Sequence, residues 1–163
     1  MKINKISLYN FNSYEGHNEF DFESRDKSKN IVLIGGKNGA GKTSLFTAIK
    51  IALYGPLAFG YVGPNAHYIA KIKDCINSKA FQKNEVNAEV RLTLSLMVER
   101  EYKEYVITRN WKYINQKLEE TYTVLEEGKQ LANQELSYFQ NYLQGLIPPD
   151  LFEFFLFDGE EVG

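Results

Sequence analysis

Eight consecutive residues, Gly36-Lys37-Asn38-Gly39-Ala40-Gly41-Lys42-Thr43, have the types and spacing that do phosphate chemistry. They form a complete G-x-x-x-x-G-K-T loop. Gly39 and Gly41 let the backbone approach an anion with no Cβ in the way. The loop N–H groups then converge on phosphate at the start of a helix, where the helix dipole also favours negative charge. Lys42 is placed to reach the β- and γ-phosphates, Thr43 to hold Mg²⁺ through its hydroxyl, and Ser44 to add a hydroxyl contact. The implied ligand is a nucleoside triphosphate.

Such a loop needs a strand before it and a helix after it. Asn30-Ile31-Val32-Leu33-Ile34 is a short β-branched run ending in glycine, and it reads as a strand buried on both faces. After the loop, Leu45, Phe46, Ala48, Ile49, Ala52 and Leu53 recur at helical spacing, interrupted by Thr47 and Lys50. Gly55-Pro56 supplies the stop. Residues 2–11 read as a first strand with Ile6 and Leu8 on one face, and Glu19–Phe22 as a second. Gly60, Gly63 and Pro64 indicate a loop, and Ile69, Ile72 and Ile76 suggest a helix over Ala66–Asn77. From Val86 to Glu99 apolar and polar residues alternate, with Met97 alone breaking the polar set, which predicts a long strand with one buried face. Tyr105–Trp111 and Thr121–Leu125 follow as strands of an antiparallel meander, with a turn at Glu127-Gly128. Asn133–Leu146 reads as an amphipathic helix that ends near Pro148-Pro149. The fold class is α/β, with parallel-sheet character around the loop and an antiparallel β layer beside it. That pairing argues against a small nucleotide kinase, in which the loop strand feeds successive βα units.

Triphosphate hydrolysis also needs an acidic residue near the metal and a group to orient water. One hydrophobic run ends in Asp: Phe154-Phe155-Leu156-Phe157-Asp158, followed by Gly159-Glu160-Glu161. It can be a Walker B strand, with Asp158 at the metal and Glu160 as catalytic base. The run has no β-branched residue, follows a Pro-Pro break and lacks the usual Asp-Glu pair. It can also be the loop that enters the active site between the two lobes of an ABC-type head, with Asp158 approaching the γ-phosphate and Mg²⁺ from the side, and this arrangement is preferred. An apolar segment closed by an ordinary acidic turn is the third possibility. On the preferred reading the chain is one lobe of an ATPase head, and no Leu-Ser-Gly-Gly signature occurs in it.

Composition narrows the classes. The chain has 163 residues, 44% of them hydrophobic, enough for one domain with a core. The net charge of −2 provides no overall basic field for nucleic acid. Arg25, Arg91, Arg100 and Arg109 are scattered. Cys75 is the sole cysteine, which excludes an internal disulfide and suits an inert thiol in a reducing compartment. His17 and His67 show no metal-ligand spacing and read as ordinary surface histidines. No apolar stretch has membrane-spanning length, and Met1-Lys2-Ile3-Asn4 does not open a signal peptide, so a cytoplasmic protein without membrane partners is expected.

The opening KINKISLYNFNSYEGHNEFDF, the loop GGKNGAGKTSLFTAIKIALYG and the ending IPPDLFEFFLFDGEEV together resemble the N-terminal head segment of DndD, the SMC-like ATPase of bacterial DNA phosphorothioation systems. The wider group, with SMC proteins, RecF and SbcC, shares the Asn38 form of the loop. The resemblance implies a P-loop NTPase fold: the N-terminal lobe of an ABC-type head, one domain over 1–163. Its parts would be a P-loop core over 1–84, an antiparallel β-subdomain over 85–130, and a helix with a Q-loop-like segment over 131–163. It implies ATP and Mg²⁺ as ligands and a γ-phosphate contact from Asn38. Asp158 would stand where many relatives place the Q-loop glutamine, beside Glu160. Relatives often carry Arg or Lys after the early Asn-Phe. This chain has Asn12 and then Ser13, which takes its place among the nucleotide contacts. An arginine that some relatives carry after the loop helix is absent, since none lies between Arg25 and Arg91.

The activity implied is ATP binding within an SMC-like ATPase of DNA phosphorothioation, a DNA-processing defence system. Hydrolysis would require the C-terminal lobe of the same ATPase and a second head joined on ATP. Other phosphorothioation-system proteins would be partners, and DNA would be met by the assembled complex only. The alternative is a self-contained P-loop phosphotransferase with Asp158 and Glu160 as Walker B-like residues. A GTPase is disfavoured, because Asn4-Lys5-Ile6-Ser7 lacks the base-reading Asp and precedes the loop.

Overall fold

Strict alternation in the middle of the chain dictates a sheet with one covered face, and the computed structural model shows, among its described residues, a six-stranded antiparallel sheet. Residues 1–22, 39–82 and 87–152 are described, with the backbone alone for 39–42. The elements are β1 (Lys2–Phe11), β2 (Tyr14–Asp21), α1 (Gly39–Tyr54), α2 (Ala66–Cys75), α3 (Ser78–Gln82), β3 (Asn87–Val98), β4 (Glu101–Ile114), β5 (Lys117–Glu126), β6 (Lys129–Gln130) and α4 (Asn133–Leu146). Two 3₁₀ turns, Gly55–Phe59 and Pro149–Leu151, follow α1 and α4.

The strand order is β2-β1-β3-β4-β5-β6. Thus β1 pairs with β3, and the segments 1–84 and 85–130 share one sheet and one hydrophobic core. The hairpins β3–β4, β4–β5 and β5–β6 each turn on two residues of positive φ: Glu99-Arg100, Asn115-Gln116 and Glu127-Gly128. Positive φ at both central residues is what the type I′ turn requires, and its twist matches that of the flanking strands.

The buried set of β3 is the one its alternation dictates. Ala88, Val90, Leu92, Leu94 and Leu96 are fully covered, while Met97 is exposed. Helix α1 lies across β1, β3 and β4 and is covered on nearly all sides. Leu45, Ala48, Ile49, Ile51, Ala52, Leu53 and Tyr54 are all buried. Phe46 and Tyr54 meet Phe152 with ring centroids 5.1 and 5.7 Å apart, and the Tyr54 hydroxyl donates to the Ile147 carbonyl at 2.6 Å. The far end of α4 is therefore fastened to α1.

Several elements depart from the sequence expectation. β2 is eight residues long and begins at Tyr14, because a tight turn returns the chain directly alongside β1. The second helix ends at Cys75, two residues before the expected Asn77, since Ile76 is extended and bridges Phe11. Asn77 then opens the short α3, which periodicity did not indicate. The expected strand Asn30–Ile34 lies outside the described residues, as does the parallel-sheet character that rests on it. Among the described residues all strand pairing is antiparallel.

Candidate nucleotide site

Helix α1 begins at Gly39, inside the phosphate motif, and runs sixteen residues. Its first turn contains no acidic residue, so its own side chains leave the positive end of the dipole open. Thr43 is exposed there and Ser44 is buried. Gly36, Lys37 and Asn38 lie outside the described residues. Gly39, Ala40, Gly41 and Lys42 are described as helical backbone. Asp158 and Glu160 also lie outside them.

Beside this end of α1 is a cleft of about 700 Å³ lined by Asn12, Ser13, Thr43, Ser44, Thr47 and the α2–α3 junction, where Asp74, Cys75, Ile76 and Ser78 contribute. Ser13, Thr43 and Ser44, drawn from distant parts of the sequence, thus share one cavity. Its size suits a nucleotide. No group of three or more His, Cys, Asp or Glu residues that could hold a metal occurs among the described residues. A single exposed hydroxyl such as that of Thr43 suits Mg²⁺, which keeps several waters and takes its remaining ligands from substrate phosphates.

Asparagines build the cleft wall. Asn10 and Asn12 have φ of 51° and 49°, a region in which asparagine is several-fold enriched. The Asn10 amide donates to the Asn87 carbonyl at 3.1 Å, and its side-chain oxygen accepts from the Gly16 N–H at 2.8 Å. The Asn12 N–H donates to the Cys75 carbonyl, and the Asn77 N–H to the Asn10 carbonyl at 2.8 Å. Asn77 also donates from its side chain to the Asn12 carbonyl at 2.8 Å while accepting from the Lys79 and Ala80 N–H groups at 3.0 and 3.3 Å. One side chain therefore caps α3 and holds the α2–α3 junction to the β1–β2 turn. Burial, with Asp74 alongside, pushes the Cys75 thiol up to about 11. At neutral pH it is a protonated, unreactive thiol. His17 and His67 are exposed and pack edge-on and flat against Tyr9 and Tyr61.

The other end of α1 is held from the sheet. No basic residue lies in its last turn. Arg109 of β4, 1% exposed, donates through Nε to the Ala52 carbonyl at 3.2 Å and pairs through Nη1 with Glu120 at 3.3 Å. Its guanidinium carbon stands 3.8 Å from the centre of the Tyr122 ring. Glu120 also accepts from the Trp111 indole N–H at 2.9 Å and from the Tyr68 hydroxyl. Burial, reinforced by Glu120, keeps the Tyr68 phenol protonated far above its ordinary range. Gly55, at φ 58°, leaves room for the guanidinium, because a Cβ there would sit 2.6 Å from Nη1. The sequence motif gives no sign of this arginine, 57 residues beyond its helix partner. A charged residue at an inward position of alternating β4 is the one available signal.

A helix that opens on a glycine of the phosphate motif and packs on an antiparallel sheet defines the N-terminal lobe of an α/β P-loop ATPase. The family of AAA domains matches residues 5–162, and the chain belongs to that family, as the N-terminal segment of an SMC-like ATPase. The family implies ATP binding. No curated protein matches the sequence. Among the described residues no helix is long and apolar enough to cross a membrane.

Proposed function

We propose that this chain is the ATP-binding N-terminal lobe of an SMC-like ABC ATPase of the DndD type, acting in DNA phosphorothioation or related DNA-processing defence. The observation that carries the ATP-binding reading is the cleft at the N-terminal end of α1, where Ser13, Thr43 and Ser44 converge. The loop amides and Lys42 would cradle the triphosphate, Ser44 and Ser13 would add contacts to the nucleotide, and Thr43 would ligate Mg²⁺. Asn38 and Asp158 would act at the γ-phosphate and Glu160 beside them. Hydrolysis would need the C-terminal lobe and a second head, so that ATP closes a dimer and its cleavage opens it. The DndD assignment rests on the opening, loop and ending segments of the sequence.

DNA would be met by the assembled ATPase. On the outer face of the sheet Lys5 pairs with Glu19 at 3.5 Å and Arg91 with Glu89 at 3.4 Å, so these cations are already compensated by neighbouring carboxylates. Titration calorimetry of Mg-ATP into the 163-residue chain tests the reading. Binding is expected to be weak, to vanish in Lys42→Ala, and to be accompanied by negligible turnover. Rapid single-chain turnover that Lys42→Ala abolishes would contradict the need for a second head. Unchanged binding in Lys42→Ala would contradict the site itself.

A further inference from the structure

We propose that Asp74 holds the sugar of the bound nucleotide, an inference that rests on the nucleotide site proposed above. Among the described residues lining the cleft, Asp74 is the only formally charged one. A carboxylate accepts hydrogen bonds but donates none, and it repels phosphate. Unless a metal ion stands between them, it is therefore poorly suited to the phosphates beside Thr43 and Ser44 and better suited to hydroxyl donors of the ligand. A nucleotide whose phosphates lie at that end must carry its nucleoside along the rest of the cavity, past Thr47 and the α2–α3 junction. The donors it brings nearest its phosphates are the ribose hydroxyls, and two vicinal hydroxyls match the two oxygens of one carboxylate. The same pairing of an acidic residue with ribose operates in dinucleotide-binding folds.

Two features of the wall agree with this assignment. Asp74 stands in the last turn of α2, where the helix dipole disfavours a negative charge. A residue that breaks a local rule in this way is expected at a functional position. The peptide that follows it is fixed in advance: the Cys75 carbonyl accepts from Asn12, Ile76 bridges Phe11, and buried Asn77 ties both flanks together. The carboxylate is thus mounted on a rigid edge of the cleft, which lowers the ordering cost of the contact.

The test measures binding of Mg-ATP, Mg-2′,3′-dideoxy-ATP and inorganic tripolyphosphate to the whole chain, to Asp74→Ala and to Asp74→Asn. Asp74 is exposed, so both variants should fold. The unaltered chain is expected to prefer ATP over the dideoxy compound by roughly tenfold or more. In Asp74→Ala the two should bind equally, at the dideoxy level, with tripolyphosphate affinity undiminished; Asp74→Asn should fall between. Ribose discrimination that survives in Asp74→Ala, or is absent from the unaltered chain, would overturn the assignment while leaving the phosphate site intact. Failure of ATP and tripolyphosphate alike to bind the unaltered chain would remove the nucleotide reading and this inference with it.

Discussion

Nε of Arg109 donates to the carbonyl oxygen of Ala52 at 3.2 Å, so a side chain from the middle of the sheet completes the last turn of the helix that starts in the phosphate motif. Helix α1 brings no cation of its own to that turn. The guanidinium supplies the charge that the carbonyl end of the dipole favours. Glu120 balances that charge, and Tyr68 and Trp111 satisfy the carboxylate. One buried cluster therefore links α1, α2, β4 and β5.

Gly55→Ala should unfold at a clearly lower urea concentration. The new Cβ would lie 2.6 Å from Arg109 Nη1, at a φ of 58° that non-glycine residues rarely adopt. Left-handed strain and overpacking together cost about 2–4 kcal/mol. An unchanged urea midpoint would show that the guanidinium moves aside freely.

Glu120→Gln removes the one ion-pair partner that a 1%-exposed arginine has among the described residues and should destabilise by about 3–5 kcal/mol. Arg109→Met should cost a similar amount, and the double variant less than the two added together, because each single change strands the other charge. Strict additivity in denaturant titrations would mean that the two side chains do not act as a pair.

Stability should hold up to about pH 9 and then fall. Cys75 is raised from 9.0 to about 11 by burial, and Tyr68 is raised further above its usual 10.0. Both groups keep their protons in the folded chain after the unfolded chain has lost them. Their contribution is therefore complete below the unfolded values and is lost as pH rises toward the folded ones. Thermal melts between about pH 8 and about pH 11 read this directly. A melting temperature that climbs across that range would contradict the sign.

Asn77→Ala should loosen the cleft wall. It deletes one hydrogen bond to the Asn12 carbonyl and the cap on α3. A loss of about 1–3 kcal/mol is expected. Hydrogen exchange should quicken first in residues 75–80. Protection there equal to that of the unaltered chain would show that the backbone bonds alone hold the junction.

Much of the fold was legible because period and punctuation agreed. β1, α1, the alternating β3 and α4 follow from apolar spacing bounded by Gly, Pro or Asn. The meander followed from its short connections, although Glu99-Arg100 lacks the usual glycine or asparagine of a tight hairpin. Three cleft residues, Ser13, Thr43 and Ser44, were named from motif and resemblance. Asn12, Thr47, Asp74, Cys75, Ile76 and Ser78 were not assigned to the site, because they reach it through long-range pairing of the β1–β2 turn with the α2–α3 junction. Asn77-Ser78 carried a helix-start signal, but the isoleucine spacing from Ile69 to Ile76 obscured it. Arg109 was hidden for the same reason, since its partner is chosen by the register of β4 and not by any neighbour in sequence.

The bond from Arg109 to Ala52 spans 57 positions, and this orders events during synthesis. A ribosome delivers every residue of the phosphate motif before the clamp for its helix has been translated. A nascent chain halted between the two would carry the whole motif on a helix with an unfastened end. Measurable binding of nucleotide, weak as it is in the whole chain, should begin only once the β4–β5 hairpin has cleared the exit tunnel, a step that a series of stalled chains of increasing length would locate.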